Sequence, residues 1–311
     1  MKFAFTVSLV AALLLVPPVR GVDVKFNDYG IFVPEELRFR DGSTNSPFPF
    51  LDEFGTPDNI RYQQVFASSA FVDLPKGGGY ITIVFFRADC LATGNRAVVS
   101  TTNFNVWFST TPKGPDELSP IFADNIGPDV LKVRSRPGTL AMRNQGCLFP
   151  GGTFPLGPRI DLDVPFVYDP TKGNLLMEVH LQATDVPREP FFLDAENVVG
   201  DPISRLVARG FDAEAANIAQ DTVGIPVYFV FHGPPILSYE TNALGLTLVW
   251  EDVPHGFKLQ WTQNIPIPNS WQDYPEPVPS TEIMTVKIPR ERLGQTRYFR
   301  LSHPTLPPLG N

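Results

Sequence analysis

The chain has few of the residues that most often carry chemistry in proteins. It contains 2 cysteines and 4 histidines among 311 residues, and it has neither a Gly-x-Ser-x-Gly element nor a His-Glu-x-x-His zinc signature. Its 25 basic residues are outnumbered by 33 acidic ones, and no block of lysine or arginine compensates. Because nucleic-acid binding needs cations that neutralise phosphates, we exclude that class of partner. The sequence assigns no catalytic residue.

An apolar run without charges is found at the N-terminus. Met1 and Lys2 precede the apolar residues 3–16, and a small-residue cleavage site ends at Gly21. The run is shorter than the ~20 residues that a bilayer-spanning helix needs. We therefore predict a signal peptide that is cut after Gly21, a secreted or periplasmic protein, and no membrane insertion after cleavage.

Both cysteines, Cys90 and Cys147, lie in the part of the chain that is predicted to be exported. Oxidising conditions outside the cytoplasm let a disulfide persist, so we predict a bridge between them. Such a bridge would stabilise the fold by about 4 kcal/mol through restriction of the unfolded chain. A reactive thiol or a metal ligand is the alternative, but neither cysteine has a histidine or another cysteine nearby in the sequence.

Apolar and polar residues alternate with a period of two in short runs bounded by glycine, proline, asparagine or aspartate, which is typical of β-strands. The predicted strands are residues 61–71, 80–87, 103–109, 130–136, 159–164, 174–182, 203–208 and 226–232. Their number and spacing predict an all-β fold, a jelly-roll-like two-sheet β-sandwich. A single short helix is predicted over residues 212–220, which are rich in alanine and begin with acidic residues.

The alternation breaks at Gly233, Pro234 and Pro235, which we take as a domain boundary. The predicted segments are a signal peptide (1–21), a β-sandwich domain (22–233), a small β-sandwich module (236–303) and a flexible C-terminus (304–311). In the small module, Leu248 and Trp250 share one strand face. Its size and its aromatic residues predict an immunoglobulin-like or fibronectin-like fold.

Several motifs of the chain suggest relatives. In the large domain they are residues 61–66, 106–111, 116–119, 122–125, 165–170, 173–176 and 204–208, and in the small module residues 248–250, 257–260, 271 and 298–301. The first set resembles a family of uncharacterised secreted β-sandwich proteins of Gram-negative bacteria, and the second is similar to a β module common in extracellular bacterial proteins. The resemblance implies secretion and carries over no catalytic residue. Many relatives end in a sorting signal that residues 304–311 do not resemble, so we expect release rather than surface attachment.

Three side chains are candidates for ligand binding. Trp107 lies in an alternating strand, and an exposed aromatic ring can stack on a sugar. Residues 174–182 alternate so that Glu178 and His180 share a polar face, from which they could bind a metal ion or a sugar hydroxyl. The expected alternative is a solvent-exposed face without a ligand for Glu178 and His180, and packing in the core for Trp107.

Paired carboxylates are the remaining signal for hydrolytic chemistry. Asp161 and Asp163 are two residues apart and so share a strand face, and Glu178 would join them if its strand were the neighbour in register. Glycosidases use two carboxyl groups about 5–10 Å apart. With 33 acidic residues in the chain, however, chance pairs are frequent.

Carboxylates also suit a structural calcium ion, which prefers hard oxygen ligands from loops. The calcium candidates are Asp52, Glu53, Asp58, Asp161 and Asp163. The loop that contains the first three lacks the spacing of an EF-hand, so a plain acidic loop is expected and no cofactor is required.

Two functions follow from these observations. The first is a secreted, non-enzymatic structural or recognition protein, which needs no motif that the chain lacks. The alternative is an extracellular protein that binds polysaccharide or, as a weaker hypothesis, hydrolyses it through Asp161, Asp163 or Glu178. The expected partners are accordingly a polysaccharide or another extracellular protein.

Overall fold

We describe the protein from a computed structural model. It describes residues 28–303 except 55, 57, 76, 90, 93–96, 143–155, 186–187, 190, 253–255, 266–269, 276–282 and 294–296. The predicted signal peptide with its cleavage site, Cys90, Cys147 and residues 304–311 lie outside the described residues. The chain divides into two compact units, Tyr29–Phe231 and His232–Asn311, the latter together with Met1–Asp28.

The larger unit consists of β-strands connected by turns and short 3-10 helices. Its strands are β1 (Asp28–Val33), β2 (Thr44–Ser46), β3 (Asn59–Phe66), β4 (Gly79–Arg87), β5 (Ala97–Thr111), β6 (Leu131–Ser135), β7 (Gly138–Met142), β8 (Leu156–Tyr168), β9 (Asn174–Ala183), β10 (Leu193–Asn197), β11 (Ile203–Arg209), β12 (Ala219–Asp221), β13 (Val223–Gly224) and β14 (Val227–His232). Its 3-10 helices are η1 (Glu35–Leu37), η2 (Ser68–Phe71) and η3 (Phe122–Asn125).

Two main sheets build the larger unit. A seven-stranded sheet has the order β12-β11-β3-β9-β5-β6, with β7 also paired to β5, and a four-stranded sheet has the order β1-β14-β4-β8. A small third sheet has the order β13-β10-β2. The two main sheets pack face to face, because Phe66 of β3 contacts Phe229 of β14 and Phe108 of β5 contacts Phe166 of β8. The predicted all-β class and the β-sandwich are confirmed.

Alternation explains why these segments form strands with one face in the core. In β5, Phe104, Val106 and Phe108 are fully buried, and the residues between them point to the other side of the sheet. All eight predicted strands are present with shifted ends. β3 ends at Phe66, because residues 68–71 form η2. β8 continues through Pro165, which an edge strand tolerates because one of its sides needs no ladder partner.

The helix predicted over residues 212–220 is wrong. The segment forms turns that lead into β12, and its backbone bonds to the β5–β6 connection instead of to itself. The amide of Ala216 donates to the carbonyl oxygen of Pro120 at 2.8 Å, and the amide of Phe122 donates to that of Glu214 at 3.1 Å. A nine-residue helix is marginal in water even with good helix formers, so these tertiary bonds decide the conformation.

An ion pair is enclosed in the larger unit. Arg87 of β4 and Asp194 of β10 bond to each other, and both side chains have 0% exposure. Arg87 also donates to the carbonyl oxygens of Leu37 and Arg40, and Asp194 accepts from the amide of Gly42 at 2.9 Å. Burial lowers the pKa of Arg87 to about 10. The pair joins the four-stranded sheet to β10 and to the segment that follows η1.

The turn before β4 requires glycine. Gly77 and Gly78 have φ angles of +96° and +81°, a region of backbone conformation that favours glycine. A Cβ atom at Gly78 would lie 1.9 Å from the carbonyl oxygen of Tyr168 on β8. The absence of a side chain therefore allows the turn to approach the edge strand.

The C-terminal unit contains two three-stranded sheets. Its elements are β15 (Ser238–Asn242), β16 (Gly245–Glu251), β17 (Lys258–Thr262), β18 (Gln272–Asp273), β19 (Ile283–Pro289), η4 (Arg290–Arg292) and β20 (Tyr298–Ser302). The sheets have the orders β15-β16-β19 and β18-β17-β20. Side chains of both sheets, including Leu248, Trp250, Leu259 and Phe299, form one core. Among the described residues of the chain, no helix is long and apolar enough to span a membrane.

Candidate functional site

Glu178 and His180 point away from the core between the two main sheets, on the outer face of the seven-stranded sheet. β9 lies between β5 and β3 in this sheet, so each of the two residues has a neighbour on both sides. The two rows across β5, β9 and β3 are Trp107–Glu178–Gln63 and Asn105–His180–Arg61. The shared face predicted for Glu178 and His180 is therefore present.

The expected solvent exposure of this face is wrong. Glu178 and His180 are only 5% and 8% exposed. The cause is an outer loop layer formed by residues 112–130, which connect β5 to β6, and residues 210–218, which connect β11 to β12. Leu118 and Phe122 of this layer pack on outward-facing apolar residues of β3, β9 and β11. The layer covers one half of the outer face and ends at Glu178 and His180.

Glu178 is held by three side chains. Its Oε1 accepts from Arg61 Nε at 2.9 Å and lies 2.5 Å from His180 Nε2, and its Oε2 accepts from Gln63 Nε2 at 2.7 Å. Burial alone would raise the pKa of Glu178, but the hydrogen bond from His180, the charge of Arg61 and the bond from Gln63 outweigh it. The pKa lies below its usual value, so the carboxylate is stabilised in its charged form.

Arg61 and Gln63 connect this carboxylate to the outer loop layer. Arg61 Nη1 donates to the carbonyl oxygen of Ala213 at 2.8 Å, and its guanidinium lies 4.6 Å from the ring centroid of Phe122. Gln63 Nε2 also donates to the carbonyl oxygen of Phe122, and Asn125 Nδ2 donates to Gln63 Oε1 at 3.0 Å. The polar cluster thus attaches both loops to the sheet.

His180 is enclosed by aromatic rings. Its ring centroid lies 4.5 Å from that of Trp107 and 5.2 Å from that of Phe211, which meets it edge-on. Nδ1 of His180 lies 3.8 Å from Oδ1 of Asp212, whose side chain is 88% exposed. The imidazole therefore lies between two aromatic rings, with the exposed Asp212 on the side of Nδ1.

Beyond this border the outer face of the seven-stranded sheet is not covered by the loop layer. We call this part the Trp107 face; it consists of Asn103, Asn105, Trp107, Lys132, Ser135 and Gln182. Trp107 is half-buried there, and Lys132 Nζ lies 4.8 Å from its ring centroid. Asn103 Nδ2 donates to Gln182 Oε1 at 2.9 Å, and Ser135 Oγ donates to Asn105 Oδ1 at 3.0 Å.

Lys132 and Arg134 do not share a strand face, although residues two apart in a regular strand do. Val106 is opposite Arg134 and Trp107 is opposite Lys132, so β6 has one extra residue, Val133, at a β-bulge. Arg134 consequently turns to the core side, where it lies 4.8 Å from the ring of Phe104. Lys132 alone of this pair reaches the Trp107 face.

The acidic loop predicted to suit calcium is paired with an arginine. Arg209 of β11 bonds to Asp58, lies 3.1 Å from Glu53 and lies 3.6 Å from Asp52. Burial acts to raise the pKa of Asp52, but hydrogen bonds, the first from the Thr56 hydroxyl at 2.6 Å, outweigh it and lower the pKa. The guanidinium thus takes the position of a counter-ion in this loop.

Asp161 and Asp163 lie on β8, in the sheet opposite to that of Glu178. The neighbouring strand that would have joined the three carboxylates is therefore not β9. Arg159 lies 2.6 Å from Asp161, and Arg136 lies 2.9 Å from Asp163. In the part of the chain that the structure describes, no three His, Cys, Asp or Glu side chains are grouped to hold a metal ion.

Two clefts lie away from the Trp107 face. One of about 480 Å³ is lined by Glu53, Arg209, Asn217 and Ile218. The other, of about 550 Å³, lies among loops and includes Glu35, Glu36, Asp73 and Asp201. Burial, with a further contribution from nearby carboxylates, raises the pKa of Asp201 to about 6. Neither cleft contains Trp107, Glu178 or His180.

Sequence reasoning missed the roles of Arg61 and Gln63. Both lie at alternate positions of β3, which also carries Ile60, Tyr62 and Val65, and polar residues in such a strand are a signal for a buried polar contact. Nothing in the sequence connects them to Glu178, which follows 117 and 115 residues later.

Comparison with protein-family models, with curated proteins and with solved structures finds no match to this chain. The resemblance to secreted bacterial proteins therefore stays a prediction.

Proposed function

We propose that this chain is a secreted, non-enzymatic recognition protein whose binding surface is the Trp107 face. The observation that carries the proposal is the division of the outer sheet face into a covered and an uncovered half. The uncovered half presents a half-buried tryptophan among amide, hydroxyl and ammonium groups. The buried polar cluster beside it fixes the edge of the loop layer, and so it defines where the uncovered half begins.

The lowered pKa of Glu178 supports a positioning role for this side chain rather than a catalytic one. A general acid or base works best with a pKa near the operating pH, and enzymes raise carboxyl pKa values by burial for this purpose. The pKa of Glu178 is lowered instead, because His180, Arg61 and Gln63 all stabilise its charged form. Asp161 and Asp163 lie on the sheet opposite to that of Glu178 and are each paired with an arginine, which gives no support to a shared glycosidase site with Glu178.

Binding of polysaccharide is the form of recognition that the Trp107 face favours. Protein pockets for sugars combine a ring that stacks on the apolar face of the saccharide with planar polar groups that bond to its hydroxyls. Trp107 supplies the ring, and Asn105, Gln182 and Ser135 supply amide and hydroxyl groups on neighbouring strands, which are about 4.8 Å apart.

The C-terminal unit is proposed as an immunoglobulin-like or fibronectin-like spacer. Its two sheets, β15-β16-β19 and β18-β17-β20, place the first, second and fifth strands together and pair the third with the sixth. Immunoglobulin-type sandwiches join strands A, B and E in one sheet and strands C and F in the other. The strand order supports the sequence-based expectation for this module.

A glycan array tests the proposal. The exported protein, residues 22–311, is screened with and without calcium, and the same glycans are assayed for hydrolysis. We expect binding without turnover, and we expect Trp107→Ala to abolish it. Trp271→Ala is the matched control, because Trp271 also has an arginine, Arg300, over its ring at 4.2 Å but lies in the other unit. Turnover of any glycan, or binding that survives Trp107→Ala, would contradict the proposal.

A further inference from the structure

We infer that the ligand of the Trp107 face is an anionic polysaccharide, with Lys132 as the residue that selects for charge. This inference rests on the proposed function and adds the chemical class of the ligand. It follows from the ion pairing of the basic side chains around the face, from the unused hydrogen-bond donors on the face, and from the contact between Lys132 and Trp107.

Lys132 is an outward-facing basic side chain of this region that has no carboxylate partner in the described structure. Arg61 is paired with Glu178 at 2.7 Å, and Arg136 is paired with Asp163 at 2.9 Å. Lys132 is exposed, and its ammonium contacts only the Trp107 ring among the described interactions. On a chain with a net charge of −8, a cation without a counter-ion next to an aromatic ring stands out as a site for an external anion.

The Trp107 face has side-chain hydrogen-bond donors that no described protein group uses. Asn105 uses its carbonyl oxygen to accept from Ser135, and Gln182 uses its carbonyl oxygen to accept from Asn103. Within the part of the chain described, the amide N–H groups of Asn105 and Gln182 donate to no protein group. Together with the Lys132 ammonium, they offer donors to a ligand rich in acceptors, such as a chain of hydroxyl and carboxylate or sulfate groups.

The contact between Lys132 and Trp107 explains how one ligand could engage both. A cation–π contact at an exposed site is weak, whereas a hydrogen bond between ammonium and carboxylate or sulfate is charge-assisted and stronger. A saccharide ring that stacks on Trp107 displaces the lysine from the indole. The displaced ammonium then stays within reach of the same sugar residue, so an acidic substituent on that residue regains the lost contact.

Two polymer pairs with matched backbones test the inference by calorimetry in EDTA. Homogalacturonan is compared with its fully methyl-esterified form, and dextran sulfate is compared with dextran. We expect the exported protein to bind at least one anionic polymer about tenfold more tightly than its uncharged counterpart, and the affinity to fall as salt is raised. The carboxylated and sulfated arms show which anionic group is recognised.

The variants separate the charge from the ring. Lys132→Gln is expected to remove the tenfold preference and to leave binding of the uncharged polymer unchanged. Lys172→Gln, which removes an exposed lysine that lies 3.8 Å from Asp169 in the β8–β9 turn, is expected to change neither. Trp107→Phe keeps a ring and is expected to retain the preference with weaker binding, and thermal unfolding confirms that each variant is folded.

The outcomes distinguish the two levels of the argument. Equal affinity for charged and uncharged polymers, or a preference that survives Lys132→Gln, would overturn the anionic ligand and leave the recognition function standing. A surface that serves a protein partner would bind none of the four polymers, and that result would overturn the polysaccharide ligand altogether.

Discussion

The ion pair between Arg87 and Asp194 allows a direct test of how much the larger unit depends on its buried charges. In Asp194→Asn the amide oxygen can still accept from Gly42, so the local hydrogen bond is retained while the negative charge is removed. Arg87, which has 0% exposure, keeps its bonds to the carbonyl oxygens of Leu37 and Arg40 but loses the carboxylate to which it bonds directly.

Removal of one partner from a buried ion pair costs about 3–5 kcal/mol, because the other charge stays buried without compensation. We expect the loss of unfolding free energy in Asp194→Asn to be at the lower end, about 3 kcal/mol, since the shape of the side chain and one of its hydrogen bonds are preserved. For a unit of this size that corresponds to a fall in Tm of about 6–12 °C. Urea unfolding followed by far-UV circular dichroism measures the free energy, and the slope m should not change.

Asp161→Asn is the matched control, because it makes the same chemical change in an exposed pair. The side chains of Asp161 and Arg159 are 49% and 54% exposed, so the loss should stay below about 1 kcal/mol. If Asp194→Asn costs no more than Asp161→Asn, the pair is not buried as described and the reasoning from its burial fails. Thermal scans of both variants at the same protein concentration make the comparison independent of the urea extrapolation.

Three further predictions concern a turn, a cleft and the polar cluster. Gly78→Ala is expected to destabilise the larger unit by about 2 kcal/mol more than Gly200→Ala in urea unfolding. Both glycines have positive φ, but of the two only Gly78 would place a Cβ against a backbone oxygen. Equal losses of stability would contradict the close approach. Asp201→Asn is expected to stabilise the larger unit by about 1 kcal/mol or less at about pH 7.5, and not at about pH 4.5. With a folded pKa of about 6, the folded state binds more protons than the unfolded chain between about pH 4 and 6, so the stability of the wild type falls as pH rises through that interval. A gain that is the same at both pH values would contradict this. Glu178→Gln is expected to speed amide exchange in residues 210–216 several-fold, and unchanged exchange would show that the polar cluster does not hold the loop.

The sequence was sufficient for the strands and for the faces of their residues, because both follow from local alternation. The placement of Glu178 and His180 on one outward face is an example. Their burial was not predictable, because it depends on loops whose positions are set by tertiary contacts. Residues 212–220 have a composition that favours a helix, and only the bonds to Pro120 and Phe122 show why this part of the chain covers the sheet instead.

The pairing of charges was also beyond the sequence. Arg209 pairs with the loop of Asp52, Glu53 and Asp58 from a strand about 150 residues away, and no local pattern marks that contact. The acidic loop therefore resembled a cation site while its counter-ion was already supplied by the chain. Similarly, the pairing of Arg87 with Asp194 spans 107 residues.

The bulge at Val133 reverses the faces to which odd-numbered and even-numbered residues of β6 point. Before the bulge, an even-numbered residue, Lys132, faces outward. After the bulge, an even-numbered residue, Arg134, faces the core. In a β6 without the bulge, Lys132 and Arg134 would be two residues apart in a regular strand and would share the outward face. The number of positive charges beside Trp107 is thus set by one bulged residue, and not by the net charge or by which charged residues the protein contains.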